Sequence, residues 1–240
     1  MRLAVVGQGL AIPSKWIGTT SNYSRESREM LANRAATSLL ARVDTTAQND
    51  LPQLKYLTSV FAVLILQDYY SGNSTWNSTV TNSLLEYRQQ YGFYGQPPGT
   101  LNSDAIYWGL AFFYAYRTYR QQSLLDEAIA AYNTTYMNAF ITPSAAVNGT
   151  GIGRNVSFSP PPDCTGTFAG GVFFTEGVQN DTEITAFTVA PFMTLSAYLF
   201  EQTRDPVYQQ AAQLSLDFAI NHLWNGTVFY RTFFPSNCTA

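Results

Sequence analysis

The chain has 240 residues, of which 46% are hydrophobic and 15% aromatic but only 12% charged, and it carries a net charge of −3. That length suits one domain, or at most two, with a sizeable core. The acidic balance and the absence of any basic cluster argue against nucleic acid and anionic membrane surfaces as partners.

In chain order, Met1-Arg2 precedes a short apolar stretch from Leu3 to Ile12, with Gly9 and Ala11 placed as before a cleavage site. Residues 1–12 thus read as a short or clipped signal segment. Helices are predicted over 24–43, 53–70, 74–91, 103–119, 122–140, 184–202 and 205–223, with Ser24 and Ser103 as N-caps and Pro206 in a first turn. The longest interior apolar run, Leu57 to Leu66, falls short of the roughly 20 residues that span a bilayer and reads as a buried helix. Breaks fall at Gly72-Asn73, at 92–99 and at 142–182. Ala115-Tyr116 followed by Ala128 across Arg120-Gln121-Gln122 resembles Ala197-Tyr198 followed by Ala211 across Thr203-Arg204-Asp205. Each reads as an αα-hairpin, and repeated hairpins predict an all-α toroid or solenoid with its loops gathered at one mouth.

The pattern Asn-x-Ser/Thr occurs at Asn22, Asn73, Asn77, Asn133, Asn148, Asn155, Asn180, Asn225 and Asn237. Nine acceptor sites favour a eukaryotic secretory route, and hence an N-glycosylated protein that is secreted or held in a cell wall. Cys164 and Cys238 are the only cysteines. In an oxidising compartment they form one disulfide; otherwise they are two free thiols.

Chemistry concentrates in Asn102-Ser103-Asp104-Ala105-Ile106-Tyr107-Trp108, where a carboxylate opens a helix and two large rings follow within a turn. Carbohydrate-cleaving sites need a carboxyl group for the proton or the anomeric carbon and flat rings for the apolar faces of sugars. With Gly170-Gly171-Val172-Phe173-Phe174, this run makes residues 14–234 resemble glycoside hydrolase family 76, the α-1,6-mannanases and related fungal wall enzymes. The resemblance implies an (α/α)6 toroid and a retaining endo-α-1,6-mannanase mechanism on two adjacent aspartates. It also implies a groove for polysaccharide or oligosaccharide, lined by the glycine-aromatic loop. Two departures stand out. Ser103 occupies the place of the nucleophilic aspartate, leaving Asp104 as general acid/base, and a serine without a nearby base is a poor substitute. About seven helices stand against the twelve of a full toroid, so 13–240 reads as one glycosidase-like domain, truncated at its C-terminus.

Tyr107, Trp108, Phe173 and Phe174 are candidate sugar platforms, with Gly170 and Gly171 in the groove wall. Glu176 and Glu183 are the candidates for a second carboxylate; about 6.5–9.5 Å from Asp104 would suit an inverting reaction. Each has a plainer reading. A first-turn carboxylate stabilises a helix by about 0.3–1 kcal/mol without any catalytic role, and aromatics at helical spacing more often fill a core. Asp181, beside Asn180, reads as loop, and Asp126 and Glu127 as a solvated turn. The sole histidine, His222, is remote in sequence from Asp104. No cofactor, metal or phosphate-loop signature occurs. The expected function is that of a glycoside hydrolase acting on α-mannan or a related fungal wall glycan. The alternatives are a carbohydrate-binding pseudoenzyme and an inactive glycosidase fragment. Oligomeric state is left open.

Overall fold

The computed structural model describes residues 22–42, 54–95, 101–149, 158, 161, 164 and 166–240. The expected signal segment and the acceptor Asn155 lie outside these residues. The chain divides into two compact units, Met1–Leu39 and Leu40–Ala240. The first contains most of α1 (Arg25–Leu40). As expected, Ser24 caps it, its Oγ accepting from the Ser27 N–H at 3.2 Å, and an Arg25–Glu29 pair at 3.0 Å spans one turn.

The second unit carries α2 (Leu54–Ser71), α3 (Asn77–Tyr91), α4 (Asn102–Tyr119), α5 (Gln122–Asn138), α6 (Pro143–Asn148), α7 (Ala186–Thr203) and α8 (Pro206–Phe218). The predicted all-α class is observed, and all seven predicted helices form. The helix expected over 205–223 ends at Phe218 and continues as one π-helical turn, Ala219–Leu223. The short α6 lies inside the predicted break. Its signals are Thr142, whose side chain accepts from the Ala145 N–H, Pro143 at the first turn and Gly149 in the left-handed region after the end. Asp205 caps α8, and Pro206 opens it as predicted. No helix among the described residues is long and apolar enough to cross a membrane.

Helices pair in sequence as hairpins: α2 with α3, α4 with α5, α7 with α8; α4 lies between α2 and α7. Rings make the joints. Trp108 of α4 stacks on Tyr87 of α3 with centroids 4.3 Å apart, Phe113 of α4 on Tyr198 of α7 at 5.1 Å, and Tyr132 of α5 on Phe192 of α7 at 5.0 Å. Gly109 lets α4 sit close against its neighbours, because a Cβ there would meet Leu195 at 2.7 Å and Ala131 at 3.0 Å. The hairpin repeat is real, but its register differs from the Ala-Tyr match by two residues. α4 and α7 both span 18 residues and both end at an arginine in the left-handed region, Arg120 (φ 59°) and Arg204 (φ 63°), so Tyr116 corresponds to Phe200.

Over the starts of α4 and α7 runs a set of extended segments. Val172 bridges Phe140, Phe173 bridges Ile184, and Thr175 bridges Leu101. β1 (Ile184–Thr185) pairs antiparallel with β2 (Thr232–Phe233). Cys164 and Cys238 form a disulfide, resolving the two readings in favour of the bridge.

Candidate functional site at the mouth of α4

Asn102, the first residue of α4, fastens this helix to the glycine-aromatic segment. Its backbone N–H donates to the Phe174 carbonyl at 2.9 Å, and its side-chain amide donates to the carbonyls of Phe173 (3.0 Å) and Thr175 (3.1 Å). Its Oδ1 accepts from the Tyr94 hydroxyl at 3.1 Å. The residue is wholly buried, so these bonds satisfy polar groups that water cannot reach. In the sequence Asn102 stands out only as the first residue of the run that ends at Trp108. No helical pattern could show that its side chain reaches residues more than 70 positions away.

Ser103 is not the N-cap. Leu101 holds that position, without a side-chain cap, and Ser103 lies inside the first turn. Ser103 is fully buried, and its Oγ has no hydrogen-bond partner. Asp104 follows, 8% exposed, its N–H bonded to the Leu101 carbonyl at 2.9 Å. A carboxylate there faces the positive end of the helix dipole. Its charge is also felt by Tyr87, whose phenol is held far above its ordinary pKa by burial first, then by Tyr91 and Asp104. Tyr87 therefore stays neutral, its hydroxyl buried without a partner. Neither Tyr87 nor Tyr94 was marked by any sequence signal.

The four expected platforms separate. Trp108 is 1% exposed with its face covered by Tyr87, and Phe173 is fully buried edge-on to Phe158, so both are core rings and not sugar platforms. Tyr107 and Phe174 remain half-exposed; burial raises the Tyr107 phenol pKa. The glycines serve packing. At Gly170 (φ 94°) a Cβ would lie 2.0 Å from the Leu214 carbonyl of α8, and at Gly171 it would meet Ile184 at 2.9 Å and Phe218 at 3.0 Å. They seat the segment on the helices beneath it.

Glu176 directly follows Thr175, the residue bridged to Leu101, and is half-buried. Glu183 is one segment further away. Its carbonyl accepts from Phe174, and its carboxylate accepts from the Thr232 hydroxyl at 3.4 Å. Asp181 is the loop residue expected, accepting from the Glu183 N–H at 2.8 Å and from the Thr175 hydroxyl. The ring of His222 lies among Phe168, Phe218 and Phe233, with Nε2 3.0 Å from the Thr167 carbonyl. Among the described residues no three His, Cys, Asp or Glu side chains form a metal ligand set. The mouth thus offers one buried carboxyl, one neutral phenol, two half-open rings and a nearby glutamate.

The described residues form an all-α array of helical hairpins with a nearly buried carboxyl in the first turn of α4. No protein-family model and no curated protein matches the sequence. Solved structures do. The chain is similar to Dfg5 from Chaetomium thermophilum, crystallised with glucosamine: 15% identity, TM-score 0.64, covering 90% of this chain and 54% of that one. It is similar to a family 76 mannosidase from Bacteroides thetaiotaomicron: 13% identity, TM-score 0.60, covering 85% and 57%. A D-mannose isomerase also matches, with 13% identity, TM-score 0.56 and coverage of 80% and 48%. The chain spans about half the length of these proteins. At such identities the likeness concerns the fold, and a fold that serves both glycosidase and isomerase does not fix the reaction.

Proposed function

We propose that the mouth of α4 is a carbohydrate site of glycosidase type, acting on α-mannan or a related fungal cell-wall glycan, with Asp104 as its general acid/base. The observation that carries this reading is the placement of Asp104: a nearly buried carboxyl in the first turn of α4, in a helix start tied by Asn102 to the glycine-aromatic segment. Tyr107 and Phe174 would lie against the sugar, and Asp104 would protonate the glycosidic oxygen as its bond to the anomeric carbon breaks. Of the two candidate partners, Glu176 is better placed by its backbone, one residue from the bridge to Leu101. Secretion and N-glycosylation belong to the same reading. They are supported by the disulfide and by seven of the nine acceptor asparagines being exposed, Asn77 being half-buried with its Oδ1 accepting from Thr81 and Gln121.

A second reading, glycan binding without turnover, is favoured by Ser103. Where the resemblance places a nucleophile stands a buried hydroxyl with no partner and hence no base to activate it. Product analysis on α-1,6-mannan separates the two. Oligosaccharides released by the native chain and lost in Asp104→Asn, with glycan retention intact, are the expected result. A folded native chain that retains glycan yet releases nothing would leave only the binding reading.

A further inference from the structure

At the far end of α4, roughly 24 Å along the helix from Asp104 at 1.5 Å per residue, lies a cavity of about 390 Å³. It is lined by Arg117, Arg120, Arg204, Glu201, Tyr69 and Tyr198, among others. We propose that this cavity binds an oxyanion, a phosphate or carboxylate group carried on a sugar-sized ligand. The proposal is independent of the glycan reading at the other end of the helix.

Three observations converge. First, the guanidinium groups are not spent on ion pairs: among the described residues the ion pairs are Arg25–Glu29 and Arg88–Glu127. Glu201 and the negative ends of α4 and α7, each equivalent to about half a charge, offset part of the three positive charges and leave about one in surplus. Second, Arg117 is held in place. Arg117 lies between Tyr69 and Tyr114, its guanidinium carbon 4.7 and 5.3 Å from the ring centres, with its Nε buried and unpartnered. Arg120 and Arg204 are exposed, their guanidinium carbons 6.0 Å from the Tyr116 ring centre and 5.8 Å from the Phe200 ring centre. A fixed guanidinium presents its donors to an oxyanion with little further loss of entropy. Third, Arg120 and Arg204 both occupy left-handed helix ends where glycine would be about 1 kcal/mol more comfortable. The volume exceeds that of a bare anion, and the Tyr69 ring, 44% exposed, offers an apolar face for a sugar.

The left-handed positions supply a clean test, because Arg120→Gly with Arg204→Gly removes charge while easing the backbone. Calorimetric titration of the full chain with glucose 6-phosphate, inorganic phosphate and glucose reads the outcome. Glucose 6-phosphate is expected to bind at least tenfold tighter than glucose, and the double variant to lose at least tenfold in affinity with no fall in Tm. Inorganic phosphate binding as tightly as the sugar phosphate would uphold the oxyanion site and identify the free ion as its ligand. Equal binding of glucose and glucose 6-phosphate, no binding of either anion, or an unaltered double variant would overturn the proposal. Asp104→Asn should bind as the native chain does, which separates this site from the one at the α4 mouth.

Discussion

Ser103 and Asp104 are neighbours in the first turn of α4, yet they meet different surroundings. The hydroxyl is sealed and unpaired, whereas the carboxyl keeps a narrow opening and the company of a neutral phenol. The motif was legible because a carboxylate and rings crowd one turn. Which rings face outward was not: Trp108 and Tyr107 are adjacent, and contacts with Phe61 of α2 and Tyr87 of α3 decide that Trp108 is core. His222 shows the same dependence on tertiary surroundings. Burial among three phenylalanines lowers its pKa below the ordinary 6.5, outweighing the bond to Thr167, which raises it. A base whose folded pKa is depressed is neutral when folded and takes up protons more readily when unfolded. Its contribution is therefore complete above about pH 6.5 and is lost as pH falls from there toward the depressed value. Stability of the native chain should decline over that window by chemical denaturation, whereas His222→Phe should flatten this part of the profile; an identical slope in both would contradict the assignment.

Helices were the most legible elements, since Gly72, the turn at Arg120-Gln121 and Asp205-Pro206 punctuate a continuous apolar periodicity. The extended segments were not legible. Residues 172–175 carry no alternation that marks a strand, and they take their form from Asn102, Phe140 and Ile184 on either side. Gly170 was read as part of a groove, but the structure gives it a packing reason. Alanine there would combine a left-handed backbone with a 2.0 Å collision against the main chain of α8, so Gly170→Ala should cost about 3 kcal/mol or more. Gly177→Ala is the control. It shares a positive φ (69°) but meets nothing within 4 Å, and should cost about 1 kcal/mol. Denaturant midpoints of the two variants measure the difference, and similar values for both would contradict the packing role.

At the scale of the molecule, the site is assembled from parts that the sequence keeps far apart: Tyr87 and Tyr94 before α4, Asp104 and Tyr107 on it, Phe174 and Glu176 beyond α6. A disulfide between residues 74 positions apart ties the segment leading into Gly170 to the segment that follows β2, reducing the unfolded chain's freedom by an amount worth about 4 kcal/mol in a chain-entropy account. The hairpin order, with α4 between α2 and α7, makes this assembly possible, because it brings the starts of α4 and α7 under one layer of extended chain. The proposed function requires that glycan bind at that mouth. Its most direct test is calorimetric titration of an α-1,6-mannan oligosaccharide into the native chain and into Tyr107→Ala. Saturable binding that weakens about tenfold when the ring is removed is expected, a loss of roughly 1.4 kcal/mol. Equal affinity in the two proteins, or no binding to a folded native chain, would contradict it.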